Sequence, residues 1–448
     1  MSPGTAPGAA LLSGWSPAST ADLPPVVEAP LMPRGFQAGA WTCGIKASGR
    51  SDLAVVTTTA GPAAAAAAFT SNLVQAAPVR LSRTHLAATG AGDTAGVATG
   101  RASGIVVTSG CANAATGPAG DADQAQVAAA LATVLGRPVA EILCASTGLI
   151  GTRLPVPLVQ TGIAALVPDA LRADDAGLAA AAEAILTTDS RSKTAGLALD
   201  LPAAGGRGSV TVTVSGFAKG VGMIHPRLAT MIAVVLTDAT VAPALLGRLL
   251  QATVSLTFNQ LTVDGDTSTN DTVFLLASGA AGAAPVAGGS AAARRLRAAI
   301  TAVCRSLARQ QAADGEGAAT LLTVRVRGAA SDAEARAVAR AVVGSSLVKA
   351  AVHGRDPNWG RIVSAAGNAR RADGSAVRLR VERLAVTLCG TRVFAGEPLA
   401  FDAATLRRRM SAPEVLVDLD LGLGGGSGEA WGCDLSETYV RENAEYST

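Results

Sequence analysis

The stretch Val214-Ser-Gly-Phe-Ala-Lys-Gly-Val-Gly-Met-Ile-His-Pro-Arg-Leu-Ala-Thr-Met-Ile-Ala-Val-Val-Leu236 holds the residues best suited to chemistry. It passes from a glycine-rich loop through a lone lysine, Lys219, to Thr230 at the start of an apolar strand. A threonine there is ordinarily just a β-branched residue that suits a pleated surface. The chemical alternative is an N-terminal nucleophile. Its hydroxyl attacks the preceding peptide bond, the acyl group shifts from nitrogen to oxygen, and water hydrolyses the ester. The freed α-amine, with an ordinary pKa of about 7.7–8.0, then serves as the local base for the same hydroxyl. Small residues before the nucleophile, as in Leu228-Ala229, leave room for the strain this requires.

Other chemistries find less support. Gly422-Leu-Gly-Gly-Gly-Ser-Gly428 departs from G-x-G-x-x-G because Ser427 stands at the last glycine position, and no helical pattern follows it. No G-x-x-x-x-G-K-[ST] and no G-x-S-x-G occurs. His85, His225 and His353 lie far apart without H-x-x-x-H or H-E-x-x-H spacing, so no metal site is expected and no Ser-His-Asp triad is recognisable. His225, before Pro226, reads as structural or solvent-facing. Cys43, Cys111, Cys144, Cys304, Cys389 and Cys433 form no C-x-x-C pair and read as reduced, mostly buried thiols of a cytosolic protein.

The chain has 448 residues, which gives a soft expectation of two to three domains. A hydrophobic content of 49% excludes a disordered chain, and 3% aromatics removes the stacking platforms of a single-strand binder. The net charge of +3 carries no basic cluster, which argues against nucleic-acid or membrane-surface binding. No apolar run reaches the ~18–20 residues of a membrane span. Only four of the cations are lysine (Lys46, Lys193, Lys219, Lys349), a trait of a GC-rich genome.

The elements that must position these residues follow from periodicity. Residues 1–32 carry six Pro, two acids and no base, and read as a flexible N-terminal extension without a targeting signal. Strands are expected over Ser51–Thr59, Gly104–Ser109, Val210–Val214, Met231–Leu236, Leu321–Val326, Val377–Val381 and Val415–Leu419. Helices are expected over Asp121–Leu135, Leu171–Leu186, Pro243–Ala252, Ala292–Asp314 and Asp332–Val343. Gly279–Gly289 and Gly422–Gly428 read as loops. The fold class is α/β, as mixed α+β layers.

Further motifs give the chain a family resemblance. They include Gly44-Ile-Lys-Ala-Ser-Gly49, Ala76-Ala-Pro-Val79, Ser109-Gly-Cys-Ala-Asn-Ala followed by Thr116-Gly-Pro118, and Ser146-Thr-Gly-Leu-Ile-Gly151. Then come Thr187-Thr-Asp189, Lys219-Gly-Val-Gly-Met223, Ala229-Thr-Met231 and Asp264-Gly-Asp-Thr-Ser-Thr-Asn-Asp-Thr272. Glu316-Gly-Ala318, Asp356-Pro-Asn-Trp-Gly-Arg361, Asp434-Leu-Ser, Tyr439-Val and Asn443 complete them. From about Pro33 to Thr448 the chain resembles the ornithine acetyltransferase, or glutamate N-acetyltransferase, family (ArgJ).

The resemblance implies a self-cleaving N-terminal-nucleophile-type, ArgJ/DmpA-like fold. The cut falls at Ala229/Thr230, leaving residues 33–229 as an α chain and 230–448 as a β chain. The two stay together, typically as an α2β2 assembly. Thr230 is then both cleavage agent and acetyl-accepting nucleophile, with Thr147 and Gly148 as the oxyanion hole. Losing one such donor typically lowers the rate about 10²–10³-fold. Substrate contacts carry over to Thr187, Lys219, Thr230, Glu316, Asn443 and Thr448. Lys219 with Glu316 supplies the two signs that a zwitterionic amino acid needs. Taken alone, Lys219 reads as a surface lysine, Glu316 as a helix-end carboxylate, and Thr187 cannot be told from Thr188. The Asp356–Arg361 motif reads as scaffolding and stays outside the site.

Three departures from the family pattern stand out. Gly110-Cys111-Ala-Asn replaces Gly-Gly-Ala-Asn, His225 holds a place usually small or acidic, and Ala319-Thr320 replaces Thr-Lys. The expected activity is ping-pong acetyl transfer from N2-acetyl-L-ornithine to L-glutamate in arginine biosynthesis, in the cytoplasm. No cofactor or metal is expected, with acetyl-CoA as a further co-substrate of a bifunctional version. A member recruited to a secondary-metabolite pathway is a variant of this reading. The rivals are a self-cleaved amidohydrolase or aminopeptidase of related fold and a non-catalytic paralogue.

Overall fold

The computed structural model describes residues 23–90, 92–94, 96–225 and 231–445. Alternation decides the central sheet. In the strand Ile232–Thr237, residues 232, 234 and 236 join one apolar cluster while 233 and 235 join another, so both faces are covered. Seven strands share this sheet in the order β4 (Gly92–Thr94), β5 (Val97–Ala102), β3 (Ala63–Phe69), β11 (Thr272–Ala277), β10 (Ile232–Thr237), β9 (Ser209–Lys219) and β8 (Lys193–Pro202). β10 runs parallel to β11 and antiparallel to β9. Strands from before and after residues 226–230 therefore lie side by side.

A second, four-stranded sheet has the order β1 (Phe36–Trp41), β2 (Leu53–Thr58), β6 (Gly104–Cys111) and β7 (Ile142–Leu149). The facing sides of the two sheets share one core with α1 (Ala77–Thr89) and α4 (Asp175–Ala184). α2 (Gly117–Leu135) and α3 (Val156–Leu166) cover the far side of the smaller sheet. α5 (Pro243–Leu256) and α6 (Ala291–Ala313) cover the far side of the larger one. A third sheet, ordered β14 (Thr391–Ala395), β13 (Ala385–Leu388), β15 (Glu414–Asp420), β12 (Leu321–Ala329) and β16 (Gly426–Cys433), has its own core. Around that core lie α7 (Asp332–Val343), α8 (Ser346–His353), α9 (Trp359–Gly367) and α10 (Ala403–Arg409). α11 (Glu437–Glu445) returns toward the first two sheets.

The mixed α/β class and most expected elements stand, and the differences have local causes. The helix expected from Leu171 begins only at Asp175, because Asp174 caps it by accepting from Gly177 N–H at 3.0 Å. Val377–Val381 alternates like a strand, yet the single bridge here is at Ala376, just before it, and the segment runs on without a ladder into a 3₁₀ turn at Val381–Arg383. Its Val377 and Leu379 pack on the third core while Arg378 binds Glu334. The loop expected through Gly428 ends at Gly425, and β16 takes Gly426 and Gly428. A Cβ at Gly426 would lie 2.3 Å from the Ser331 carbonyl carbon, so these glycines let the strand press against the start of α7.

The run Ala63-Ala-Ala-Ala-Ala-Ala-Phe69 carries no strand signal, since alanine is a weak strand former. It becomes β3 because both neighbours pair with it and both faces are buried. Residues 23–32, read as part of a flexible extension, are hydrogen-bonded to the body. Val27 and Gly196 exchange two backbone bonds of 2.9 Å, Leu31 N–H donates to Ser215 at 3.0 Å, and Leu23 and Val26 pack on the core. This stretch shields part of the edge strand β8.

Candidate active site

A cavity of about 450 Å³ opens where β6, β7 and β9 end. Thr147, Gly148, Thr187, Lys219, Glu316 and Asn443 all line it, so six residues expected from sequence meet in one place. Ala229, Thr230 and Thr448 lie outside the described residues. Met231 and Ile232 place the chain on the C-terminal side of that gap. Met231 N–H donates to Asp271 at 2.9 Å, and Ile232 pairs with Lys219 across the β9–β10 ladder. Among the described residues no group of His, Cys, Asp or Glu is arranged to hold a metal.

Gly148 sits opposite Gly110, where the β6–β7 ladder shifts register. Its φ is +126°, and a Cβ there would lie 2.4 Å from the Gly110 carbonyl carbon. Only glycine allows both the backbone angle and the approach. Behind it, Asn270 donates to Ala112 O at 2.7 Å and Ser146 O at 2.8 Å, tying both strand ends to the Ser268–Asp271 loop. Asp52 accepts from the N–H groups of Cys43, Ile45 and Lys46 and folds the Gly44–Gly49 loop over one wall.

Lys219 is buried, not the surface lysine its sequence setting suggests. Its ammonium donates to Thr187 Oγ1 at 2.7 Å and Thr147 Oγ1 at 3.2 Å, and lies 3.8 Å from Asp189 Oδ2. Burial pulls the Lys219 pKa down, and the charge of Asp189 opposes that most strongly. Thr187 and Thr188 separate cleanly, because successive side chains of the turn face apart. Thr187 meets Lys219, whereas Thr188 donates to Glu316 Oε1 at 2.9 Å.

Glu316 is half-buried and accepts from Asn443 Nδ2 at 2.9 Å on its other oxygen. It crowds the glycine-rich loop so closely that a Cβ at Gly222 would meet Oε2 at 2.3 Å. Asp264 pins the same loop by accepting from the N–H groups of Met223 and Ile224. His225 is exposed, with its Nδ1 3.3 Å from Thr262 Oγ1, in keeping with a structural or solvent-facing histidine. The segment that leads from Glu316 into β12 is itself held by Asp434, whose Oδ1 accepts from Ala319 and Thr320 N–H at 2.9 Å. Asp434 Oδ2 lies 2.8 Å from His353 Nδ1, and His353 Nε2 lies 3.2 Å from Glu437 Oε2 on α11, the helix that carries Asn443.

Sequence reasoning gave no role to Asp189, Lys193, Lys46 or Asp271, although three of them fall inside quoted motifs. Lys46 lines the cavity with its ammonium on Ser51 O and Ala184 O, and burial with the nearby Arg50 charge lowers its pKa to about 8. Asp271 is fully buried beside Met231, and burial pushes its carboxyl well up. The available signal was the i,i+4 pair Asp189 and Lys193 in a chain with few charges.

The family profile described as "ArgJ family" matches residues 37–448. A Synechococcus protein named "Arginine biosynthesis bifunctional protein ArgJ" is 47% identical over 430 residues, covering 93% of this chain and 96% of its own. The protein of the same name from Deinococcus radiodurans is 45% identical over 416 residues, covering 93% and 97%. A crystal structure of the protein of that name from Bacillus halodurans is 40% identical, covers 48% of this chain and 98% of its own, and has a TM-score of 0.45. The profile spans nearly the whole chain, and the curated relatives match it almost end to end: the chain belongs to the ArgJ family.

Proposed function

We propose that this protein transfers an acetyl group from N2-acetyl-L-ornithine to L-glutamate, within arginine biosynthesis, after cutting itself between Ala229 and Thr230. The observation that carries the reading is the convergence of Thr147, Gly148, Thr187, Lys219, Glu316 and Asn443 on one cavity beside Met231. The relatives' names, as arginine-biosynthesis proteins, support the pathway. Their description as bifunctional supports a second acetyl donor, for which acetyl-CoA is the candidate.

In the cleavage step Thr230 Oγ attacks the Ala229 carbonyl, the C–N bond breaks, and the nitrogen takes the hydroxyl proton. That shift frees the Thr230 amine, and water then hydrolyses the ester, leaving Ala229 as a carboxylate and restoring the Thr230 hydroxyl. In the transfer step that amine accepts the Oγ proton as the oxygen attacks the acetyl carbon of acetylornithine. The tetrahedral oxyanion is stabilised by the Thr147 hydroxyl and the Gly148 N–H. Lys219 donates to Thr147 Oγ1, so the Thr147 proton is free to point at the oxyanion. Glu316, with Asn443 beside it, pairs with the ammonium of the amino-acid substrate. Thr448 joins the substrate contacts on the strength of the resemblance. Ornithine leaves with the proton, and the amine of glutamate collects the acetyl group from Thr230.

The two strands from after the cut, β10 and β11, lie between β3 and β9 from before it in the seven-stranded sheet, which supports α and β products that stay together. Assembly as α2β2 in the cytoplasm completes the proposal. The test is ornithine release from acetylornithine with and without glutamate. Release that requires glutamate, with parallel double-reciprocal lines, is expected. Release at full rate without glutamate overturns the transferase in favour of a hydrolase.

A further inference from the structure

We propose that Asp189 is the positioning residue of this site, holding Lys219 so that Lys219 in turn aims the Thr147 hydroxyl. The inference rests on the functional reading above for the role of Thr147, and on geometry for the rest. Four consecutive residues of the turn after α4 each meet a different partner. Thr187 takes a hydrogen bond from Lys219, Thr188 donates to Glu316, and Ser190 donates to Asp314 through both its N–H and its hydroxyl. Asp189 stands at the centre. Its Oδ1 accepts from Lys193 Nζ at 2.6 Å and from Gly220 N–H at 2.8 Å. Its Oδ2 accepts from Thr187 N–H at 3.2 Å and faces the Lys219 ammonium at 3.8 Å. One carboxylate thus fixes the peptide that follows Lys219, the residue whose hydroxyl Lys219 touches, and the charge that balances it.

A carboxylate this deep ordinarily gives up its charge. Burial does push the Asp189 carboxyl up, but Lys219 and Lys193 together with the Gly220 N–H outweigh it and hold the pKa at about 2. Lys193 is fully buried as well, and Asp314 at 2.5 Å is its second counter-charge. The charged groups facing Lys219 are Asp189, Lys193, Glu316, Asp271 and, more distantly, Lys46. Asp189 is the foremost of those that favour the ammonium form.

The chemical consequence concerns one proton. A charged Lys219 has no lone pair, so Thr147 Oγ1 accepts from it and keeps its own proton for the oxyanion. A neutral Lys219 is an acceptor and captures that proton. Asp189→Asn keeps the size and removes the charge, so Lys219 releases its proton at a lower pH. Activity is then lost as pH rises through the lowered Lys219 pKa.

The test is lysine side-chain NMR, together with the pH profile of kcat. The chain has four lysines, so the Lys219 signal is assigned by its absence in Lys219→Met. In Asp189→Asn the Lys219 titration midpoint falls by at least one pH unit, a tenfold change in its acid constant. The alkaline limb of kcat moves the same way, while KM below that limb is little changed. A merely structural Asp189 lowers thermal stability and moves neither midpoint nor limb, and that result overturns the proposal. If Asp189→Asn does not fold, Asp314→Asn serves. It leaves Lys193 to compete with Lys219 for Asp189, so the Lys219 midpoint falls by a smaller amount, and an unmoved midpoint overturns the proposal equally. The midpoint needs no substrate. A wild type without cleavage or transfer defeats the functional reading alone, whereas an active wild type with an unmoved midpoint defeats the positioning claim alone.

Discussion

At the scale of single residues, the site pairs one buried cation with one half-buried anion across a cavity, the charge pattern of a zwitterion's host. Glu316→Gln removes the anion and leaves its partners Thr188 and Asn443 in place. A hydrogen bond to a charged group contributes about 1.5–3 kcal/mol, so kcat/KM for acetylornithine falls roughly 10–100-fold. Steady-state kinetics check this, and an unchanged kcat/KM excludes Glu316 from substrate binding. Residue identities were legible only through motifs. Lys219 taken alone reads as a surface lysine, because nothing nearby in sequence reveals that Asp189 and Glu316 lie beside it. Thr187 and Thr188 are indistinguishable in sequence and are separated only by the turn that points them at opposite charges. Asp189 was visible as a motif letter, but its role depends on Lys193 and on Asp314, which is far away in the chain.

At the scale of elements, glycine decides where strands can end against each other. Gly148→Ala places a Cβ against Gly110, whereas Gly151→Ala meets nothing within 4 Å at a comparably positive φ. The melting temperature therefore falls further in Gly148→Ala than in Gly151→Ala, by differential scanning fluorimetry, and equal losses contradict the packing argument. The tie between the segment entering β12 and α11 is pH-dependent. Hydrogen bonding to Asp434 raises the His353 pKa above its ordinary value of 6.5, against a smaller opposing effect of burial. Protonated His353 thus adds stability that is complete below about pH 6.5 and is lost as pH rises through the raised value. The melting-temperature gap between wild type and His353→Gln is accordingly widest near pH 6 and narrows toward pH 9; a gap independent of pH contradicts the ion pair. Elements with strong period-2 or 3.6 patterns were readable in advance, such as Asp332–Val343 to its bounds and Pro243–Ala252, which the structure extends to Leu256. β3 was not, since six alanines become a strand only when both neighbouring strands and both faces claim them.

At the scale of the whole molecule, the two halves on either side of Thr230 are not separate domains. β10 and β11 lie between β3 and β9, so the main sheet is built from both halves and a cut before Thr230 leaves its ladders intact. The buried Lys193–Asp314 pair and the Thr188–Glu316 bond also join residues from the two sides. This shared architecture was hidden in the sequence, which offered only the order of elements and not their interleaving. It predicts that the cleaved protein migrates as one assembly under native conditions and separates only when denatured. The central claim is that Thr230 cuts the chain before itself and then carries the acetyl group. The intact mass under denaturing conditions, of wild type beside Thr230→Ala, tests it most directly. The account predicts two wild-type chains, each about half of the full 44.3 kDa and the second beginning at Thr230, with a single uncut chain in the variant. A single full-length chain in the folded wild type would contradict it.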